Sequence, residues 1–331
     1  MRERKTLVLS ERDVHALLPM RECIEVMADA LAALARGEVF NPLRQAHRAP
    51  GAAGLLGLMP AYRGGARPLY GLKEVCVFPG NPARGLDSHL GAVLLHDGET
   101  GELLCMANAA AITAIRTAAV SAVATRLLAR EDASVLAVIG AGVQARSHLE
   151  AIPLVRDVRE IRIYSRSGVG QTILSVLGES EKAKAGQTGL SVLQTAEECV
   201  RGADIIVTAT SSREPVLRRE WIGDGAHINA VGSSVASARE LDADTVAAAS
   251  LFVDRRESTL NESGDYLGAG VSESHIKGEI GELLLGAAAG RTSASEMTLF
   301  KSLGLAIEDL AAAAYLYEKA RAGGAGTWID F

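Results

Sequence analysis

Val135-Leu-Ala-Val-Ile139 runs directly into Gly140-Ala-Gly142-Val-Gln-Ala145. A short apolar run of this kind reads as a buried strand, and it leads into a GxGxxA turn and a helix start. Each small residue has a mechanical reason. The first glycine allows the tight turn, the second lets the backbone approach a pyrophosphate, and Ala145 permits close helix–strand packing. The helix N-terminus then turns its unbonded amides toward the phosphates. A bare GxGxxA carries little weight in a chain with 34 glycines. Between a strand and a helix it is a dinucleotide-binding signature, with Gly140 and Gly142 against the cofactor.

The next strand, Ile161-Arg-Ile-Tyr164, ends in Ser165-Arg166-Ser167 with no acid. NAD enzymes usually place Asp or Glu there to bond the ribose 2′-hydroxyl, and a carboxylate would repel a 2′-phosphate. Arg166 and two hydroxyls would bind one, so NADP(H) is favoured over NAD(H). Thr210 and Val231 close later apolar runs, Ile205–Ala209 and Ile228–Val231, where strand ends line a cofactor crevice. The plainer alternative for each is an ordinary turn, and for Arg166 a solvated charge.

Working outward, further strands are expected at Leu190–Leu193 and Leu251–Val253, with helical segments between most of them and a solvated loop at Gly178–Gly189. This is the βαβ alternation of a parallel sheet. Upstream, Ser10-Glu-Arg-Asp13 resembles a capping box, and a helix after Pro19 carries Ile24, Met27, Ala28, Leu31 and Leu34 at helical spacing up to Gly37. From Leu55 to Leu104, runs at Leu55–Met59, Leu69–Leu72, Val75–Phe78 and Ala92–Leu95 alternate with turn residues, the pattern of an antiparallel sheet. A long Ala-rich helix is expected over Ala109–Arg130, and another over Met297–Ala322. The fold class is therefore α/β: a Rossmann domain at 131–295, and an α+β substrate and dimerisation domain at 1–130, on which 296–331 packs back. The cleft between two such domains is the expected active site.

With 331 residues and 48% hydrophobic content, the chain can bury two cores. Its net charge of −6 argues against a dedicated nucleic-acid binder. No uninterrupted apolar stretch approaches a membrane span, and the N-terminus lacks the pattern of a signal peptide, so a cytoplasmic location is expected. Cys23, Cys76, Cys105 and Cys199 are scattered singly and the seven histidines are dispersed, which gives no metal-ligand spacing.

Three cations upstream sit in apolar surroundings: Arg44 in Asn41-Pro-Leu-Arg44, Lys73 in Gly71-Leu-Lys-Glu-Val, and Arg116 inside the Ala-rich helix. A buried cation is costly unless paired, so together they point to an anionic ligand, with guanidinium suited to a carboxylate. Alone, each would read as a surface or snorkelling side chain.

At these residues the sequence resembles the ornithine cyclodeaminase/μ-crystallin family. The likeness takes in Met59-Pro-Ala-Tyr62, Lys73 with Phe78-Pro79 and Asn81, Thr113-Ala-Ile-Arg116-Thr-Ala-Ala, and Gly140-Ala-Gly-Val-Gln144-Ala. It continues through His227-Ile-Asn-Ala-Val-Gly232, Arg239-Glu-Leu-Asp242, Glu262-Ser-Gly-Asp265 and Phe300-Lys-Ser-Leu-Gly304. The resemblance implies that Arg44, Lys73 and Arg116 bind a substrate carboxylate, that Lys73 transfers a proton, and that Glu262 approaches the ligand. It also implies cofactor contacts at Ser88, His89, Arg116, Thr117, Val143, Gln144, Ser165, Arg166, Ser167, Thr210, Val231 and Ser302, and a homodimer formed through the N-terminal domain.

Two departures bear on the reaction. The bacterial cyclodeaminases carry an Asp just after a Val-Gly-Gly run, where this chain has Ser234 after Val231-Gly-Ser. They also carry a Glu two residues before the Met-Pro pair, where this chain has Gly57. Serine has no useful pKa for base work near neutrality, and glycine has no side chain. The expectation is therefore an NADPH-dependent reductase of α-imino acids, such as pyrroline-2-carboxylate or piperideine-2-carboxylate. The alternatives are alanine dehydrogenase-like reductive amination of a 2-oxo acid, an ornithine cyclodeaminase, and a non-enzymatic NADPH-dependent binder.

Overall fold

The computed structural model describes residues 5–166 and 189–331. The chain divides into two compact units, Met1–Arg116 with Leu305–Phe331, and Thr117–Gly304. Ser167 and all but the last residue of the loop expected at Gly178–Gly189 lie outside the described residues.

The first unit begins with strand β1 (Lys5–Leu9) and helix α1 (Glu11–Leu17). The capping box is formed: the Asp13 amide donates to Ser10 Oγ, and the Ser10 amide donates to the Asp13 carboxylate at 2.9 Å. Helix α2 (Met20–Ala35) buries Cys23, Ile24, Met27 and Leu31 and gives way to Gly37 at φ 76°. Then come β2 (Val39–Phe40), β3 (Gln45–His47), β4 (Leu55–Arg63), β5 (Leu69–Val77), β6 (His89–Asp97) and β7 (Leu103–Asn108). The runs expected separately at Leu69–Leu72 and Val75–Phe78 are one strand. Lys73-Glu74 does not form a turn, because strand alternation places Lys73 on the covered face with Gly71 and turns Glu74 to the other face with Tyr70 and Cys76. Helix α3 (Ala109–Leu128) carries the division between the units at Arg116/Thr117. It is long and apolar enough to cross a membrane by length and composition, yet it is mostly buried in the protein as a core helix.

The second unit holds β8 (Val135–Ile139), α4 (Val143–Ala151), β9 (Glu160–Tyr164), β10 (Gly189–Val192), α5 (Ala196–Val200), β11 (Ile205–Thr208) and β12 (His227–Ala230). It continues with α6 (Ala243–Ala248), β13 (Ser250–Val253), α7 (Arg256–Glu262), α8 (Gly264–Ala269), β14 (Ile276–Glu279), α9 (Ile280–Leu284) and β15 (Thr298–Lys301). The strands form one parallel sheet in the order β10-β9-β8-β11-β12-β15-β13-β14. Both faces are covered. Leu136 and Val138 enter the core cluster that holds Ala145 and Leu149, while Ala137 and Ile139 enter the one that holds Ile206 and Ile228. Burial on both faces is why β8 reads as a continuous apolar run.

The helix expected over Met297–Ala322 is a strand and a shorter helix. Thr298-Leu299-Phe300-Lys301 is a fully buried strand between β12 and β13, and Gly304, at φ 78°, separates it from helix α10 (Ala306–Gly323). In the first unit, α10 lies against β4, β5 and β6, and β16 (Thr327–Asp330) pairs with β1. That unit's sheet runs β16-β1-β7-β6-β5-β4-β2, with β3 on β4; its neighbours are antiparallel except β1 with β7.

Candidate active site

In the first unit, Lys73 sits in the middle of β5, opposite Met59 and Val93, with its side chain on the face covered by α10. The helix comes close here because residue 71 is glycine: a Cβ at that position would stand 2.8 Å from Leu310 Cβ. This approach delivers the first turn of α10, with Glu308 and Asp309 at its positive end. Asn41 holds that end by accepting the Ile307 amide on Oδ1 at 2.8 Å.

Lys73 Nζ donates to Thr113 Oγ1 at 2.7 Å and pairs with Asp309 Oδ1 at 3.3 Å. Arg116, one helical turn beyond Thr113, donates through Nε to the same Asp309 Oδ1 at 3.1 Å and through Nη1 to Glu308 Oε2 at 2.6 Å. Lys73 is 5% exposed, Arg116 3%, Asp309 1% and Glu308 0%. Two cations and two acids thus form one buried cluster, which is tolerable only because the charges balance and are hydrogen-bonded.

Burial pushes the Lys73 pKa down from 10.5 to about 8; Asp309 opposes this and Arg116 and Arg44 assist it. Of these causes burial is larger than the neighbouring cations. Arg44, half-buried ahead of β3, contributes its charge to this environment. His89 opens β6 with its Nδ1 2.9 Å from Ser88 Oγ, and its pKa lies below the ordinary value through desolvation and then the Lys73 charge. Gly57 lies on the same face of the sheet as Met59 and Lys73 and brings no side chain to it.

In the second unit the parallel sheet brings the other expected residues to its carboxyl edge. Ser165 and Arg166 follow β9, Thr210 follows β11, Val231 follows β12 and Ser302 follows β15. Arg166 is exposed and Ser302 buried. Gly140 closes β8 at φ 133°, and a Cβ there would stand 2.4 Å from the Ala209 carbonyl, so only glycine fits. A Cβ on Gly142 would meet nothing within 4 Å, and Gly142 caps α4 with no side chain to bond the first amides. Open backbone and bare helix amides at a strand-order reversal, between β8 and β11, fit a dinucleotide pyrophosphate. Val143 is exposed and Gln144 half-buried in the first turn of α4. Thr117 is buried in α3, and Glu262 ends α7.

A second buried charge cluster supports this edge. Lys301 Nζ donates to the Gly232 carbonyl at 2.5 Å and pairs with Asp265 at 2.9 Å. Asp265 accepts the Glu240 and Leu241 amides, and Glu240 accepts from Thr208 Oγ1 at 2.8 Å and the Thr210 amide at 2.6 Å. Burial raises the Glu240 pKa, against the Lys301 charge. Ser233 in the adjoining loop sits at φ 56°, a strained position for a residue with a side chain.

Sequence reasoning missed Glu308, Asp309, Glu240, Asp265 and Lys301 as a charge framework. A signal was present in Ala306-Ile-Glu-Asp-Leu-Ala, two acids in an apolar helix, the mirror of what singled out Arg116.

Residues 4–324 match the ornithine cyclodeaminase/mu-crystallin family. The ketimine reductase mu-crystallin of Mus musculus is 40% identical over 283 residues, which are 85% of this chain and 86% of that protein. The solved structure of Thermococcus litoralis Delta(1)-pyrroline-2-carboxylate reductase, in complex with NADH and L-proline, is 39% identical with a TM-score of 0.92, covering 97% of this chain and 99% of its own. An archaeal alanine dehydrogenase dimer with bound NAD is 34% identical with a TM-score of 0.91 over 99% of each chain. The chain belongs to the ornithine cyclodeaminase/mu-crystallin family, as a nicotinamide-dependent oxidoreductase.

Proposed function

We propose that this protein reduces α-imino acids, with cyclic ketimine carboxylates such as pyrroline-2-carboxylate or piperideine-2-carboxylate as substrates and L-amino acids as products. The observation that carries the reading is the buried Lys73, with its pKa at about 8, in a cluster with Arg116. Arg44 and Arg116 hold the carboxylate. Lys73 gives a proton to the imine nitrogen, which makes the carbon electrophilic, and a group titrating near neutral pH is suited to that transfer. When bound, the nicotinamide supplies the hydride that this carbon accepts. Gly140, Gly142 and the first turn of α4 hold the pyrophosphate, and Thr210 and Val231 line the same edge. Gly57 and Ser234 stand where the bacterial cyclodeaminases carry their two acids, which disfavours cyclodeamination of ornithine.

Arg166 after β9, with no acid beside it, favours NADP(H), although the solved reductase and alanine dehydrogenase hold NADH and NAD. The outer face of the first unit's sheet carries Tyr70, Cys76 and Leu90 exposed. That face, with Glu74 as a charge among them, suits a homodimer, the assembly in which the archaeal alanine dehydrogenase was solved. The four free cysteines fit a reducing compartment such as the cytoplasm. Likeness to that alanine dehydrogenase also supports a second reading, in which a 2-oxo acid and ammonia or an amine form the same imine at the same residues.

The test is NADPH oxidation with pyrroline-2-carboxylate, piperideine-2-carboxylate, and pyruvate with ammonia or methylamine. Turnover of a cyclic imine supports the proposal, and turnover of pyruvate with ammonia alone supports the second reading. Conversion of ornithine to proline with only catalytic nicotinamide would replace both.

A further inference from the structure

The charge of Lys73 is set by groups from four places. Asp309 and Glu308 come from α10, Arg116 from α3, Arg44 from ahead of β3, and His89 from the start of β6. Asp309 both bonds Nζ and opposes the lowering of its pKa; Glu308 bonds Arg116 instead. Asp309 is also used unevenly. Its Oδ1 is shared by Lys73 and Arg116, whereas Oδ2, in a side chain 1% exposed, accepts no hydrogen bond among the described residues.

With Lys73 protonated, the formal charges of Lys73, Arg116, Glu308 and Asp309 cancel. When Nζ gives its proton to the imine nitrogen, the amine left behind is neutral and the cluster keeps one negative charge. That charge stabilises the iminium just formed and draws a proton back from solvent to Nζ once the substrate nitrogen has become an amine. From this geometry we infer that Asp309 is the positioning residue of the proton donor: its charge, and not its volume, keeps Lys73 protonated for transfer. The inference rests on the reductase reading for its catalytic meaning, while the charge coupling between Asp309 and Lys73 stands apart from it.

The test uses the full-length protein with Asp309→Asn, which keeps the shape and removes the charge. The basic limb of the kcat/KM profile for imine reduction should move to lower pH by about 1–3 units, the effect of losing an opposite charge at this distance. The Kd for NADPH should stay unchanged. Asp309→Glu should return the limb close to the wild-type position. A loss of activity at all pH values with the limb in place would overturn the inference, as would an Asp309→Glu limb displaced as far as that of Asp309→Asn. The Lys73 Nζ signal, assigned by its disappearance in Lys73→Met, is titrated by NMR in the same proteins. It should shift in Asp309→Asn in the same direction as the limb. If no imino acid is turned over, the function fails but the NMR titration still decides the coupling: an unmoved Lys73 signal refutes it. If Asp309→Asn does not fold, the Asp309→Glu titration decides: a signal close to wild type supports the inference, and one displaced by a unit or more refutes it.

Discussion

Replacing Lys73 by methionine tests the buried cluster through the pH dependence of stability. Lys73 is 5% exposed, and its pKa lies at about 8 against an ordinary 10.5, chiefly through burial. Below pH ~8 the lysine is charged in both folded and unfolded chains, and the penalty of burying the ammonium is fully present. Between about 8 and 10.5 the folded protein has released a proton that the unfolded chain still binds, so stability rises with pH across that window. A displacement from 10.5 to about 8 corresponds to about 3 kcal/mol. The assay is urea unfolding of wild type and Lys73→Met at a series of pH values. It is followed by tryptophan fluorescence in a Trp221→Phe background, which leaves Trp328 in β16 of the unit that holds Lys73. The difference between the two proteins cancels the titrating groups that Lys73 does not influence, and His89, which it does, titrates below this window. It should move in favour of wild type by about 3 kcal/mol as pH rises from about 7 to 10.5. A difference that stays flat would show that Lys73 titrates as an ordinary lysine and would remove the basis for its role as a proton donor.

Gly71→Ala places a Cβ 2.8 Å from Leu310 and should destabilise the protein by about 1–3 kcal/mol in urea unfolding while lowering turnover through the displaced Asp309; an unchanged midpoint would contradict this. Arg166→Ala should weaken NADPH about 10-fold and leave NADH nearly unchanged, since Arg166 is exposed and its charge-assisted bond to a 2′-phosphate falls at the low end of such bonds. Equal loss for both cofactors, read by calorimetric titration, would remove Arg166 from the 2′-phosphate site. Lys73→Met should also reduce turnover by about 100–10,000-fold, the range for losing a general acid, with NADPH affinity kept; retained turnover would exclude Lys73 from proton transfer.

The dinucleotide unit was legible because its signals are local. A strand buried on both faces is apolar throughout, and the turn after it tolerates only glycine at position 140. The carboxyl-edge positions are then fixed by topology alone, since parallel strands end on one side. Two errors came from reading charge and length without tertiary context. Lys73-Glu74 looks like a break between strands, yet in a nine-residue strand one of the pair must face each side. Thr298–Lys301 reads as part of the helix behind it because a four-residue strand is too short to show a period of its own, and Gly304 divides the two. The charge clusters were hidden for a different reason. Lys73 and Asp309 are 236 positions apart, and Arg116 and Glu308 are 192 apart, so the chain shows the cations without showing what neutralises them. The close approach allowed by Gly71, with Asn41 holding the helix end, brings the acids to them.

The central claim is that hydride passes to the carbon of an imino acid. It is tested most directly by supplying NADPH deuterated at the transferable position with pyrroline-2-carboxylate and examining the product by mass spectrometry and NMR. The account predicts L-proline carrying one deuterium at Cα for each NADPH consumed. Proline without deuterium at Cα, or NADPH consumed without proline, would contradict it.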